Sequence, residues 1–520
     1  MLFAWSVVLL LAQVLLWINA TTVAAGGITD DASAGGFQGW TCDELTPDLC
    51  DLTMTKGRIP IRDDGLWVRY WKYSSSSSSI DDYDDESIDT DRLPPPPSPL
   101  IMVHGGPGMT HNYMLPLKQL ACRPDRYGRT RDVYFYDQGG CGESVTPVDT
   151  NSRETENNEN NDNSMTNMTR LVEEHPYLLD PQYYATIELP RIIEHLGLLN
   201  HNGDDETGSG YHVVANSWGT ILAQYFVLNT NATSNGLKSL TLSGPLSDGD
   251  LYVNSQWSET ETNNLGQLPP FVKMRINVLE DRNAYDSDEY AAINDALSGR
   301  FTCRTQPAPD CVEAIKDGTN YDVYVGLQGA SEFTFSGVLG GFNMTPRLHT
   351  IDVPVALTSG AYDTMRPPVV DAMYREIPLA EWTVLDHSGH LTMIDDAGWM
   401  NEIVDDFLAR VEEASNNALS VPEEVASQSQ SQSQSHSQSQ SQSFRPLSHL
   451  CGPKGCVPKL QRQEKNEAKG TAEIDSIAVS GYSVWAVMWV GIVSFFAGTF
   501  ASKYQTTLCN NGRSAGYEPV

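Results

Sequence analysis

Short apolar runs bounded by glycine and polar clusters recur along most of the chain, and they predict an alternation of strands and helices. "RIPIRDDGLWVRYWKY" (58–73) alternates around Asp-Asp-Gly and predicts a β-hairpin. "LIMV" (100–103) predicts a buried strand that ends in His-Gly-Gly-Pro-Gly, and "DVYFYDQGGCGES" (132–144) a second strand closing in a glycine turn. "YYATIELPRIIEHLGL" (183–198) spaces Ile187, Ile192, Ile193 and Leu196 for a helix, with Pro190 complicating its start. "YHVVANSWGTILAQYFVL" reads as strand, sharp turn and helix, and "LKSLTLSGPL" as another strand. The alternation stops over 248–345, which are mostly polar and helical. It resumes with the strands "VPVALTSGAYD" and "EWTVLDHSGH" and the helix "AGWMNEIVDDFLARVEEA". Strand–helix repetition on both sides of a helical insertion predicts an α/β fold: a mostly parallel sheet carrying a cap.

The two ends follow other patterns. Residues 2–18 are apolar and precede "NATTVAAGG", where Val23-Ala24-Ala25 resembles a signal-peptidase site. A secretory signal over 1–25 is the first reading and a signal anchor the second, since the usual positive n-region is missing. Residues 477–501 run without a charge, long enough at 1.5 Å per residue to cross a hydrocarbon core of about 30 Å. Glu473 and Asp475 precede this span while Lys503 and Arg513 follow it, which predicts a cytoplasmic tail over 502–520 and a lumenal or outside-facing main domain. The "SQSQSQSQSHSQSQSQS" run, within 416–476, is a stalk without a packing face. Between the ends lie a core over 36–247 with polar insertions at 74–99 and 149–170, a cap over 248–345, and a second core part over 346–415.

Charge and cysteine content refine this picture. A formal charge of −34 over 520 residues excludes nucleic acid as the expected partner, because phosphate contacts need basic residues. Part of that charge is local, seven acids standing in "IDDYDDESIDTD" (80–91). Nine cysteines suit an oxidising compartment. Cys42/Cys50, Cys303/Cys311 and Cys451/Cys456 are three close pairs, Cys122/Cys141 a fourth, and Cys509 is left over beyond the apolar span. Asn167, Asn231 and Asn343 each begin an N-x-[ST] sequon, which carries meaning in a secreted chain.

Candidate chemistry centres on "VVANSWGT". A serine at the apex of a sharp strand-to-helix turn needs small neighbours two places away on each side, and Ala215 and Gly219 flank Ser217 in that way. In such folds an acid and then a histidine follow, each just after a strand. Asp363 ends "VALTSGAYD" and His390 ends "WTVLDHSGH"; Asp386 and His387 are nearby, lower-ranked competitors. His390 is expected to take the Ser217 proton, and Asp363 to fix the ring's tautomer. The glycine-rich loop after the 100–103 strand then has a purpose beyond a turn. The tetrahedral intermediate needs N–H donors, one from Trp218 after the nucleophile and one from the His-Gly-Gly-Pro-Gly loop, assigned to Gly106.

"HGGPG", "DQGGCGES", "NSWGT", "GAYD" and "SGHLT" together resemble the proline iminopeptidases, serine aminopeptidases of the α/β-hydrolase fold. "HGGPGMTHNYML" and "SEFTFSG" are most similar to the branch containing the tricorn-interacting aminopeptidase and amino-acid amidases, and the resemblance spans roughly 53–411. It implies release of N-terminal residues, often proline, from short peptides or aminoacyl amides, without metal or cofactor, beneath a helical cap. By the same resemblance Glu332 occupies the place of one amine-binding glutamate. A second glutamate is expected directly after the triad aspartate, where this chain has Thr364; the arginine common after Asp-Gln is also missing. An esterase or thioesterase on the same triad, and a cell-surface binding protein whose catalysis has died, are the competing readings.

Overall fold

The computed structural model describes residues 41–76, 95–145, 171–199, 210–419, 451–452 and 455–456. The chain divides into two units, Met1–Gln432 and Ser433–Val520. In the second unit the described part is one antiparallel ladder pairing Cys451–Gly452 with Gly455–Cys456.

The first unit is built on an eight-stranded sheet in the order β1-β2-β4-β3-β5-β6-β7-β8. The expected hairpin is present and longer than its alternating core: β1 (Leu52–Pro60) pairs antiparallel with β2 (Trp67–Ser75). β2 also runs antiparallel to β4 (Val133–Tyr136). From there the sheet is parallel through β3 (Leu100–Val103), β5 (Tyr211–Asn216), β6 (Leu237–Ser243), β7 (Val355–Gly360) and β8 (Ala380–Leu385).

The central strands are continuously apolar because both of their faces are covered. On β3, Ile101 and Val103 join one apolar cluster while Leu100 and Met102 join the other. The first cluster is closed by α1 (Leu189–His195), α2 (Trp218–Asn229) and α8 (Pro367–Glu376), through residues such as Ile192, Leu222 and Val370. The second is closed by α9 (Thr392–Asp395) and α10 (Ala397–Leu419), through Met393, Val404, Phe407 and Leu408. Each fully buried aliphatic side chain contributes about 1.5–3 kcal/mol to this sandwich. The helix expected over 183–198 begins with a π-helical turn, Tyr184–Glu188, that runs on into α1; Pro190 thus stands inside a continuous helical run, just after a wider turn of the kind that interrupts the regular hydrogen-bond ladder.

Between β6 and β7 the chain is helical: α3 (Gly249–Gln256), α4 (Pro270–Glu280), α5 (Asp288–Phe301), α6 (Asp310–Gly318) and α7 (Tyr321–Leu327). This segment has its own apolar cluster, including Val272, Ile276, Tyr290, Ile293, Leu297 and Phe301. It is also fastened to the loops at the C-terminal edge of the sheet. The His390 and Leu391 N–H groups donate to the Phe301 and Thr302 carbonyls, each at 2.8 Å. Asn320 N–H donates to Gly108 O at 2.8 Å, and Gly142 N–H to Gly318 O at 2.9 Å.

At the opposite edge a buried ionic cluster clamps α10 to the sheet. Glu412 accepts from Arg131 (3.1 and 3.2 Å), from Ser98 N–H (2.8 Å) and from His212 Nε2 (3.3 Å).

The cysteine pairing differs from the short-range expectation. Cys42 bonds Cys311 and Cys50 bonds Cys122, while Cys141 and Cys303 are free and buried. Tertiary docking decides this: Cys42 N–H donates to Asp310 Oδ1 at 2.9 Å, which seats the N-terminal segment on the start of α6 and beside Cys311 rather than Cys50. The side chains of Cys451 and Cys456 lie outside the described residues.

Residues 1–25, 477–501 and 502–520, and most of the expected stalk and polar insertions, also lie outside the described residues. Among the described residues no helix is long and apolar enough to cross a membrane. Asn167 is likewise not described. Asn231 is exposed in the turn after α2. Asn343 is exposed too, but its amide nitrogen donates to Asp248 Oδ2 at 2.6 Å and its Oδ1 accepts from Thr345 N–H at 3.0 Å.

Candidate active site

Four loops meet at the C-terminal edge of the sheet. β5 ends in Asn216, and Ser217 turns the chain into α2 with φ 55° and ψ −126°. A non-glycine residue in that region is strained and persists only where its surroundings hold it. Two glycines make room for it. A Cβ on Gly219 would stand 2.3 Å from the Val103 carbonyl oxygen, and one on Gly105 would stand 2.8 Å from Ser217 Cβ. Val103 and Gly105 belong to β3 and the loop after it, so the serine turn and the Gly-rich loop are packed against each other.

Asp363 and His390 are delivered after β7 and β8. His390 Nδ1 lies 2.7 Å from Asp363 Oδ1, which also accepts from Met365 N–H at 2.8 Å. The ring and the serine meet through one strand end: Ser217 N–H donates to Ser243 O at 3.0 Å, and a Cβ on the next residue, Gly244, would stand 2.6 Å from His390 Cε1. His390 Nε2 is buried and has no hydrogen-bond partner among the described residues. Serine and histidine therefore occupy adjoining loops without the hydroxyl–imidazole hydrogen bond, a link that often tightens only when substrate is bound. The competitors Asp386 and His387 are exposed.

Several residues that the sequence pattern does not mark hold the histidine loop. Asp395 accepts from Gly389 N–H (2.8 Å), Arg304 N–H (2.9 Å), and both the N–H and hydroxyl of Thr305 (2.8 and 2.9 Å). One carboxylate thus ties the helical segment to the residue before His390.

The expected oxyanion donors, Gly106 and Trp218, stand on the loop after β3 and at the start of α2. Trp218 occupies the first position of α2, where an N–H has no acceptor within the helix. Gly105 N–H is taken by Tyr113 Oη at 2.5 Å, and Tyr113 in turn donates to Asn216 Oδ1 at 2.9 Å. The next N–H along the loop is that of Gly106, whose φ of +127° suits glycine alone.

A family described as the alpha/beta hydrolase fold matches residues 98–397. Proline iminopeptidase of Heyndrickxia coagulans is 30% identical over 312 residues, covering 60% of this chain and 90% of that protein. Proline iminopeptidase of Clostridioides difficile is 30% identical over 304 residues, covering 57% of this chain and 85% of that protein. The chain belongs to the proline iminopeptidase family of α/β hydrolases. A crystal structure of proline iminopeptidase from Mycobacterium smegmatis is 23% identical with a TM-score of 0.49, covering 69% of this chain and 99% of that one.

In this family member the carboxylate of Glu332 stands beside the histidine. Its Oε1 is 4.0 Å from His390 Nε2, and its Oε2 accepts from Tyr324 Oη at 3.4 Å. Tyr252 Oη donates to the Glu332 backbone carbonyl at 2.6 Å, holding the segment in place. Burial raises the Glu332 carboxyl above its ordinary value, against the opposing pull of His390. Burial also disfavours the His390 imidazolium, but the charge and hydrogen bond of Asp363, together with Glu332, outweigh it and raise the ring above its ordinary value.

The two departures from the proline iminopeptidase pattern have local explanations. Gly139 stands where arginine is common, and Glu188 fills that space: its Oε2 accepts from Gly139 N–H at 3.0 Å and would be 2.6 Å from any Cβ there. Burial pushes the Glu188 carboxyl up to about 8. Thr364 is buried with its hydroxyl 3.4 Å from Asp363 Oδ1, so it supports the acid rather than adding a charge. Among the described residues one group of metal-type ligands comes together, Cys42, Asp310 and Cys311, and its two sulfurs are bonded to each other.

Proposed function

We propose that this chain is a membrane-anchored serine aminopeptidase that releases N-terminal residues, proline among them, from short peptides or aminoacyl amides through an acyl-enzyme. The observation that carries the reading is the Glu332 carboxylate 4.0 Å from His390 Nε2, which has no hydrogen-bond partner among the described residues. An ammonium group bound to that carboxylate sits within one residue's length of the reacting carbonyl, which is the geometry of an exopeptidase and has no use in a simple esterase.

Chemistry then follows from the positions. Ser217 Oγ adds to the carbonyl carbon while His390 Nε2 takes its proton, and Asp363 stabilises the imidazolium. The carbonyl π pair becomes an oxyanion that accepts from the Gly106 and Trp218 N–H groups. Collapse breaks the C–N bond, with His390 returning the proton to the leaving amine. Water, deprotonated by the same ring, then frees the amino acid and restores Ser217. The 1–25 and 477–501 segments support a secretory-pathway, single-pass protein whose catalytic domain is lumenal or extracellular.

Aminoacyl amides with a free amine are expected to be hydrolysed and their N-acetylated counterparts left intact. Ser217→Ala should reduce turnover by several orders of magnitude. Equal rates on the two substrate types would remove the amine anchor and favour the esterase reading.

A further inference from the structure

Gln138 belongs to neither the triad nor the donor pair, yet it touches the supports of both N–H donors. It follows β4, which pairs with β3, which pairs with β5; the two donors follow β3 and β5. The residue is 1% exposed. Its Oε1 accepts from the Trp218 indole N–H at 2.8 Å, and its Nε2 donates to the His104 carbonyl at 2.9 Å. Because an indole nitrogen can only donate, the amide's orientation is fixed by chemistry.

The backbone of the same residue sets a third contact. Gln138 N–H donates to His104 Nε2 at 3.0 Å, which makes that nitrogen the acceptor and leaves the proton on Nδ1. His104 Nδ1 then donates to the Gly105 carbonyl at 2.7 Å. Burial pushes this imidazole down to about 4, so the neutral tautomer persists at neutral pH. In the trans peptide joining Gly105 to Gly106, the C=O and the N–H point in opposite directions. Holding the Gly105 carbonyl therefore aims the Gly106 N–H away from His104.

We infer that Gln138 is a positioning residue for the oxyanion site: one buried amide joins the Gly106 loop to the Trp218 helix start and fixes the separation of their two N–H groups. The inference rests on the serine-hydrolase reading above. The clamp matters most in the transition state, because preorganised donors act on charge that the bound substrate does not yet carry. The Gln138 backbone is itself locked, its carbonyl accepting from Cys141 N–H at 3.2 Å, so a side-chain substitution removes two hydrogen bonds and leaves the third.

The test uses the full chain with Gln138→Met, which keeps the volume and deletes the amide, and Trp218→Phe, which removes the indole N–H while retaining the backbone donor. Gln138→Met is expected to lower kcat by about 100-fold, approaching the 10²–10³ typical of losing an oxyanion donor, with KM held within about threefold. Trp218→Phe is expected to lower kcat by about tenfold. L-prolinal, to which Ser217 Oγ adds to give a hemiacetal oxyanion, should lose affinity in parallel with kcat, whereas inhibition by free L-proline should stay unchanged. A merely structural role would weaken both inhibitors together, and that result, or unchanged kcat in both variants, overturns the inference. If Gln138→Met does not fold, the Trp218→Phe comparison decides alone. Wild-type protein that neither hydrolyses aminoacyl amides nor responds to Ser217→Ala would instead sink the hydrolase reading itself, whatever the clamp variants do.

Discussion

Glu332→Gln separates two jobs of one carboxylate. The substitution keeps the shape and the Tyr324 contact but removes a negative charge 4.0 Å from His390 Nε2. Two unit charges at that distance interact by about 1 kcal/mol in water and about 4 kcal/mol at an effective dielectric near 20. Losing that attraction should lower the His390 pKa, because Glu332 is one of the charges that favour the imidazolium. Asp363, at 2.7 Å, also raises it and is untouched. His390 works as a base only when neutral, and its pKa is raised in the wild-type protein, so activity is lost as pH falls through a value above the ordinary 6.5. In Glu332→Gln this acid limb moves to lower pH. The limb reports the coupled pair, since Glu332 itself titrates in the same field. The assay is kcat/KM against pH on a free-amine aminoacyl coumarin amide. KM for that substrate should rise about tenfold or more, the weight of a charge-assisted hydrogen bond. An acid limb that stays in place, or moves upward, would show that Glu332 does not carry charge toward the histidine.

Two further outcomes test regions away from the site. Glu412→Gln leaves the buried Arg131 without its bidentate partner and should destabilise the fold by about 3–5 kcal/mol, read as a lower urea midpoint. Burial alone would raise the Glu412 carboxyl, but His212 and Arg131 outweigh it and hold it down to about 2. A depressed carboxyl stabilises the fold above its ordinary 4.5, and that contribution is lost as pH falls from there toward about 2. The variant should therefore lose less stability over that interval, and an unchanged midpoint would remove the clamp from the account. For the membrane reading, the full chain should stay with membranes after an alkaline carbonate wash while a chain ending at residue 419 is released; equal release of both would count against an anchor over 477–501.

The strands were legible because their signal is local. "LIMV" and "YHVVAN" are apolar enough to be recognised wherever they end up, and both are buried strands. The Ala215–Ser217–Gly219 spacing was equally readable, since the strained turn itself demands small neighbours. Gly105 shows the limit of such reading. The loop's glycines pointed to a close approach, but only the packed structure separates Gly105, which meets Ser217 and spends its N–H on Tyr113, from Gly106, whose N–H comes next. Asp395 and Gln138 carry no local signal, because an acid or amide becomes a fastener only through donors brought from far along the chain.

The amino-acid order by itself determined which segments become strands and helices, and the sequence of serine, aspartate and histidine along them, because those depend on periodicity and on residues within a few places of each other. Tertiary structure alone decided that Cys42 meets Cys311, that Glu332 faces His390, and that Thr364 leans on Asp363. Each of these contacts joins separate loops or reads the direction of a side chain. Such proximity is a property of how the sheet, its helices and the helical segment pack, and spacing along a chain does not encode it.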